Sequence, residues 1–259
     1  MKLDKEYFSE LCEAFRTGKR EAGGIGTLGE HTLHAVLKQY IEPDPAFHEQ
    51  KVGRFVADIR RGDDIFEIQT RNFGRLREKI EGYPPECHLH IIYPIAVNKY
   101  LMKINPETGE VSKPRLSPRH GTAQDLLPEL YLIRKLLPSE KITFHLFLME
   151  TEEHFTDNGR RERYLRERKR VETLPRALYD ILSLHTVEDF SLLLPDGLGE
   201  NFSAVDYRKR SHLSVKDASF ALGALRSLGV VRQTGKRGNA YLYSLADPQA
   251  VTAKENHQK

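Results

Sequence analysis

The sequence predicts a mixed α/β protein: a sheet flanked by helices, followed by a smaller helix-and-hairpin module. Three observations carry this prediction. Hydrophobic patterning runs helix, helix, strand, strand, strand, helix, strand over the first hundred residues. A second stretch, from Phe202 to Leu245, reads helix, turn, helix and two short strands. Between these parts the chain turns polar and basic, and there the spacing predicts a change of domain near residue 155.

Tyr7 to about Arg20 forms a first helix, with Phe8, Leu11, Cys12 and Phe15 on one face. Gly23-Gly24-Ile25-Gly26 breaks it. A second helix runs from about Leu28 to Ile41, where Pro43 and Pro45 end it. Three strands follow at Phe47–Val52, Arg54–Arg60 and Asp64–Thr70, then a helix at Phe73–Ile80 and an apolar strand at His88–Val97. Residues 100–120 read as an irregular hairpin turning at Pro106-Glu107-Thr108-Gly109. Leu126–Leu137 is helical, Ile142–Met149 is a buried strand, and Leu174–Leu194 is predicted mostly helical. The expected organisation is a first domain over 1–155, a basic connector over 156–171, a second domain over 172–247 and a tail over 248–259.

Of the 259 residues, 39% are hydrophobic and 30% charged, enough to build a core and too ordered a mixture for general disorder. No run approaches the ~20 apolar residues of a membrane span. The first residues, Met1-Lys2-Leu3-Asp4-Lys5-Glu6, lack the apolar core of a secretory leader. Cys12 and Cys87 stand far apart and read as reduced thiols. A cytoplasmic protein with no membrane partner is expected. The net charge of +3 hides an uneven distribution: residues 160–170 hold seven Arg or Lys against two Glu, and residues 200–245 eight against three acids. Such basic segments suit a polyanionic partner.

Chemistry concentrates in acids. On the second helix, Leu33, Leu37 and Tyr40 mark the buried face, and Glu30 falls on the same face. A carboxylate there is costly unless paired, although the helix dipole also favours Glu near a helix start. In the second and third strands, Gly62-Asp63 makes a two-residue turn, so paired residue numbers sum to 125. Arg60 then faces Ile65, Asp58 faces Glu67, and Val56 faces Gln69. Alternation puts Asp58, Glu67 and Gln69 on one face and Phe55, Ala57, Ile59, Phe66 and Ile68 on the other. Opposed carboxylates at roughly 5 Å repel unless a cation lies between them, and oxygen ligands suit Mg²⁺ or Mn²⁺. An ordinary acidic pair on an exposed sheet face is the alternative.

The order helix Glu30, Gly53-Arg54-Phe55-Val56-Ala57-Asp58, Glu67-Ile68-Gln69, helix, strand resembles the PD-(D/E)XK superfamily of restriction-endonuclease-like nucleases. The resemblance covers about residues 20–97. It implies an αβββαβ core, metal-dependent hydrolysis of phosphodiester bonds, and metal ligation by Glu30, Asp58, Glu67 and the Ile68 carbonyl. The pattern departs at Ala57, where Pro is usual, and at Gln69, where Lys is usual. Gln69 brings no positive charge and orients water by hydrogen bonds alone. Arg71 and Arg75, one turn apart after the third strand, either grip phosphate or form a solvated charged face. His31, His34, His48, His88, His90 and His120 show no zinc-ligand spacing, and the Gly23–Gly26 stretch lacks the lysine of a phosphate loop.

At the C-terminus, a helix from Phe202 to Arg210, a turn at Ser211-His212-Leu213, a helix from Val215 to Leu228 and a hairpin about Lys236-Arg237-Gly238-Asn239 resemble a winged helix-turn-helix domain. Ser214 with Asp217 is the predicted N-cap, Leu222, Leu225 and Leu228 the buried face, and Gly229 the stop. The resemblance implies nucleic-acid contacts from Lys216, Ser219 and Arg226 on the helix and from Lys236 and Arg237 on the wing. The sequence thus predicts a Mg²⁺- or Mn²⁺-dependent nuclease acting on DNA, and leaves a homodimer open. The rivals are a catalytically silent nuclease-fold DNA-binding regulator and a winged-helix module that binds protein.

Overall fold

A computed structural model describes residues 1–21, 32–162 and 165–246. Its chain divides into two compact units, each assembled from three separated segments: unit 1 from 1–68, 92–122 and 145–182, and unit 2 from 69–91, 123–144 and 183–259.

Unit 1 opens with α1 (Lys5–Glu21). Asp4 starts it by accepting the Tyr7 N–H at 3.0 Å, and its own N–H donates to Tyr40 Oη at 2.8 Å, which ties α1 to α2 (Thr32–Ile41). Both helices turn their apolar stripes onto one core: Phe8 and Cys12 from α1, Leu33, Val36, Leu37, Tyr40 and Ile41 from α2. The sheet face beneath supplies Ile59, Phe66, Ile68, Ile92, Phe147, Met149 and Leu178. Phe8 and Phe147 each meet the Tyr40 ring edge-on, at centroid distances of 5.2 and 6.0 Å. The predicted start of the second helix, with Glu30, lies outside the described residues.

The three predicted short strands are present as β1 (His48–Val52), β2 (Phe55–Arg61) and β3 (Asp64–Ile68), each paired antiparallel to the next. Gly62, at φ +59°, takes the left-handed conformation that its two-residue turn requires. The predicted register is observed for Ile59–Phe66, Arg60–Ile65 and Arg61–Asp64. β4 (His88–Ile104) is longer than the predicted apolar run, and it pairs with the short β5 (Arg115–Leu116) through Tyr100–Leu116 and Leu101–Arg115, closing the predicted irregular hairpin.

β6 (Ile142–Glu162) runs through the position where the sequence predicts a change of domain, and β7 (Leu165–Leu184) occupies most of the segment predicted to be helical. Strand order in the sheet is β1-β2-β3-β4-β6-β7, with β5 beside β4. The apolar residues Leu174, Leu178 and Ile181 are spaced as on a helix, but their burial against the sheet decides the conformation. Pro175 is tolerated because β7 is the edge of the sheet.

Unit 2 contains a 3-10 turn at Phe73–Arg75 leading into α3 (Leu76–Gly82), then α4 (Leu127–Ile133) and α5 (Val187–Ser191). Phe73 stacks on Phe144 at 6.3 Å, and Phe144 meets Phe190 edge-on. The predicted C-terminal pattern is present as α6 (Ala204–Ser211), α7 (Val215–Ser227), β8 (Val231–Arg237) and β9 (Ala240–Leu245). Ser203 and Asp206 form a capping box at the start of α6, and Ser214 Oγ accepts the Asp217 N–H at 3.1 Å on α7. Leu222, Leu225 and Leu228 are buried as predicted, and Gly229 follows α7 at φ +79°. Residues 172–184, expected in the second domain, belong to β7 instead.

Candidate functional site

Asp58 and Glu67 stand on neighbouring strands, one step beyond the last paired rung, Ile59–Phe66. The ladder does not continue to the Asp58–Glu67 and Val56–Gln69 pairs that the sequence predicts. Asp58 itself interrupts it, because its Oδ2 accepts the Ile68 N–H at 2.7 Å in place of a main-chain acceptor. The same oxygen lies 3.2 Å from His34 Nε2, on the half-buried flank of the α2 stripe. Glu67 is only 3% exposed. The expected face division therefore holds for Ala57, Ile59, Phe66 and Ile68, all buried, but β3 is buried on its other face too, at Ile65 and Glu67. Val56, in contrast, is exposed.

Two carboxylates and a strand-end carbonyl are oxygen donors of the kind that a hard divalent cation takes. The third expected carboxylate, Glu30, lies outside the described residues. Among the described residues no group of three or more His, Cys, Asp or Glu side chains is arranged to hold a metal ion.

Gln69 turns its amide onto the chain that follows, donating to Arg71 O at 2.6 Å. Arg71 and Arg75 are exposed, but they do not share a helical face: Arg71 precedes the 3-10 turn and Arg75 closes it.

A second polar constellation in unit 1 has no counterpart in the sequence reading. Glu152, almost buried, receives Arg16 at 3.7 Å, Arg176 at 3.5 Å and His154 at 3.5 Å. The His154 hydrogen bond, with the two guanidinium charges behind it, holds the Glu152 carboxyl below its ordinary range, against the effect of burial. Arg176 also meets Glu150 at 3.3 Å and lies over the Tyr100 ring, while Tyr179 donates to Glu150 at 2.7 Å. Thr32, at the start of α2, donates to the buried Glu172 of β7. The only sequence signal was the density of Glu in Glu150–Glu153, at the end of the predicted strand, where the polar and basic residues that follow read as a domain boundary rather than as more strand. Both cysteines are buried, and burial pushes the Cys12 thiol up to about 12.

The basic residues expected at the C-terminus have local partners in unit 2. Lys216 Nζ lies 5.4 Å over the Phe220 ring, Ser219 Oγ donates to Val215 O, and Arg226 Nη1 donates to Gln233 at 3.1 Å. Lys236 Nζ sits 4.7 Å over Tyr241, and Arg237 approaches Asp206 at 3.6 Å.

Residues 31–186 match the model of the family described as Domain of unknown function (DUF8091), and the chain belongs to that family. An uncharacterized protein of Treponema pallidum (strain Nichols) is 27% identical over 229 residues, which cover 86% of this chain and 88% of that protein. No solved structure matches significantly. Among the described residues, no helix is long and apolar enough to cross a membrane.

Proposed function

We propose that this protein is a cytoplasmic, divalent-metal-dependent nuclease with a restriction-endonuclease-like core, recruited to DNA by a C-terminal winged helix. The observation that carries the reading is the carboxylate pair Asp58 and Glu67, set at adjoining positions where the β2–β3 ladder opens. The order α2, β1, β2, β3, α3, β4, with β1 to β4 side by side, is consistent with the αβββαβ core of that superfamily.

In this reading Asp58, Glu67 and the Ile68 carbonyl hold Mg²⁺ or Mn²⁺, together with Glu30. The ion supplies Lewis acidity at a phosphoryl oxygen and lowers the pKa of a bound water. Asp58 is fixed for its part by the Ile68 N–H, which orients the carboxylate without neutralising it. His34, against the same carboxylate oxygen, sets its position from α2. Gln69 carries no charge, so it acts on water only by hydrogen bonding.

The test is incubation of supercoiled DNA, single-stranded DNA and RNA with Mg²⁺ or Mn²⁺, comparing the native chain with Asp58→Asn and Glu67→Gln. Cleavage that falls at least 100-fold in both variants supports the reading. Cleavage indifferent to both refutes the site. Salt-sensitive binding of DNA without cleavage of any substrate selects the silent regulator, which the missing lysine at Gln69 favours.

A further inference from the structure

In unit 2, α7 offers solvent little of its surface. Ala218, Ala221, Leu222, Ala224 and Leu225 are buried. The adjoining flank, carrying Phe220, Gly223 and Ser227, is half-buried and packs on α4. There the Tyr131 ring stacks on Phe220 at 4.6 Å and 11°, with the Arg134 guanidinium 3.9 Å from the Tyr131 centroid and the Lys216 ammonium over Phe220. Gly223 makes the approach possible, since a Cβ there would lie 2.5 Å from Tyr131 Cε2. At about 100° per residue, the stripe left open is narrow and holds Val215, Ser219 and Arg226, with Lys216 at its edge. Val215 is aliphatic, the Ser219 hydroxyl returns to its own helix, and the Arg226 guanidinium is engaged by Gln233. Direct reading of base pairs relies on amides and guanidinium forks presented outward, and this stripe presents neither ready-made.

The hairpin differs. Lys236 and Arg237 are exposed near its turn, and Arg237 reaches Asp206 at the start of α6. Lys209 lies exposed one turn further along α6, so the hairpin tip and α6 bring basic side chains to one locality. Residues 200–245 carry eight Lys or Arg against three acids, a surface complementary to phosphate.

We propose that this module holds DNA by its phosphates, through Lys209, Lys236 and Arg237, and without regard to base sequence, because α4 narrows the open face of α7 to a stripe whose one guanidinium is already held by Gln233. The inference rests on the nucleic-acid reading above and adds to it the kind of recognition. Phosphate contacts set position and affinity but carry no sequence information.

The experiment uses the full chain and fluorescently labelled 20-base-pair duplexes. Two duplexes of unrelated sequence should bind with affinities within threefold of each other, and selection from a randomised pool should return no consensus. Lys236→Glu with Arg237→Glu should weaken binding at least tenfold at low salt and flatten the log–log salt slope by about 2, at roughly 0.9 per phosphate contact. Circular dichroism of that variant must match the native spectrum. A selected consensus, bound tenfold better than unrelated duplex, overturns sequence-independent holding while leaving DNA binding intact. Native binding by the charge-reversed variant overturns the assigned residues. No binding of duplex or single strand at low salt ends both this inference and the nucleic-acid reading.

Discussion

Glu152 shows how a single buried acid can set the response of unit 1 to pH. His154, Arg16 and Arg176 hold its carboxyl below the ordinary value of 4.5, so it stays ionised in the fold after the unfolded chain has begun to take up a proton. The stability so conferred is complete above the unfolded value and is lost as pH falls through the folded one. Glu152→Gln should therefore cost stability at pH 7, on the order of 1–3 kcal/mol for a near-buried charged hydrogen-bonding group, and the gap should narrow below about pH 4.5. Urea midpoints for both proteins at pH 7, 5 and 3.5 would check this, and a pH-independent gap would refute it. At this scale the sequence revealed some residues and hid others. The β2–β3 register was legible as far as Ile59–Phe66, because a two-residue turn fixes it arithmetically, but the Asp58–Glu67 rung beyond it was not, since Asp58 Oδ2 takes the Ile68 N–H. His34 and Thr32 were not, since their partners, Asp58 and Glu172, lie 24 and 140 positions away and only the folded sheet brings them close.

Secondary-structure elements follow the same division between local and distant causes. α1, α6 and α7 were legible because their patterns, and for α7 the Ser214 cap, lie within one segment; the caps Asp4 and Ser203, which each satisfy an N–H three residues on, went unread. β7 was misread because Leu174, Leu178 and Ile181 fit a helix equally well, and the pairing with β6 that overrides this is a tertiary fact. The α4–α7 packing was likewise invisible, as nothing in Gly223 announces that an aromatic ring from residue 131 will lie against it. Gly223→Ala is expected to destabilise the protein by about 1–3 kcal/mol through overpacking. In a Tyr131→Ala background the same substitution should cost little or even stabilise, because helix propensity then favours alanine. Thermal melts of the four proteins form the double-mutant cycle, and equal effects in both backgrounds would mean that the ring is not the obstacle.

For the whole molecule, the sequence correctly indicated a mixed α/β chain with a distinct C-terminal pattern, but it drew domain boundaries as cuts along the chain. The structure instead builds each compact unit from three segments. α6, α7, β8 and β9 share unit 2 with α3 and α4, and the latter supplies an aromatic wall to α7. A fragment of residues 183–259 should consequently fail to fold cooperatively, with α7 lacking Tyr131 and Ile133 no longer present in the unit. Far-UV circular dichroism through a thermal ramp decides the matter, since a sharp two-state melt of that fragment would contradict it.

The interrupted path of unit 2 also has a consequence in time. A ribosome releases α4 long before α7: at ~5–20 residues per second, the roughly eighty residues between them take on the order of 4–16 s to make. Throughout that interval Tyr131 has no Phe220 to stack on, so the nascent chain carries an uncovered aromatic surface. Holdase chaperones recognise surfaces of this kind, and the order of synthesis leaves α4 waiting as such a surface.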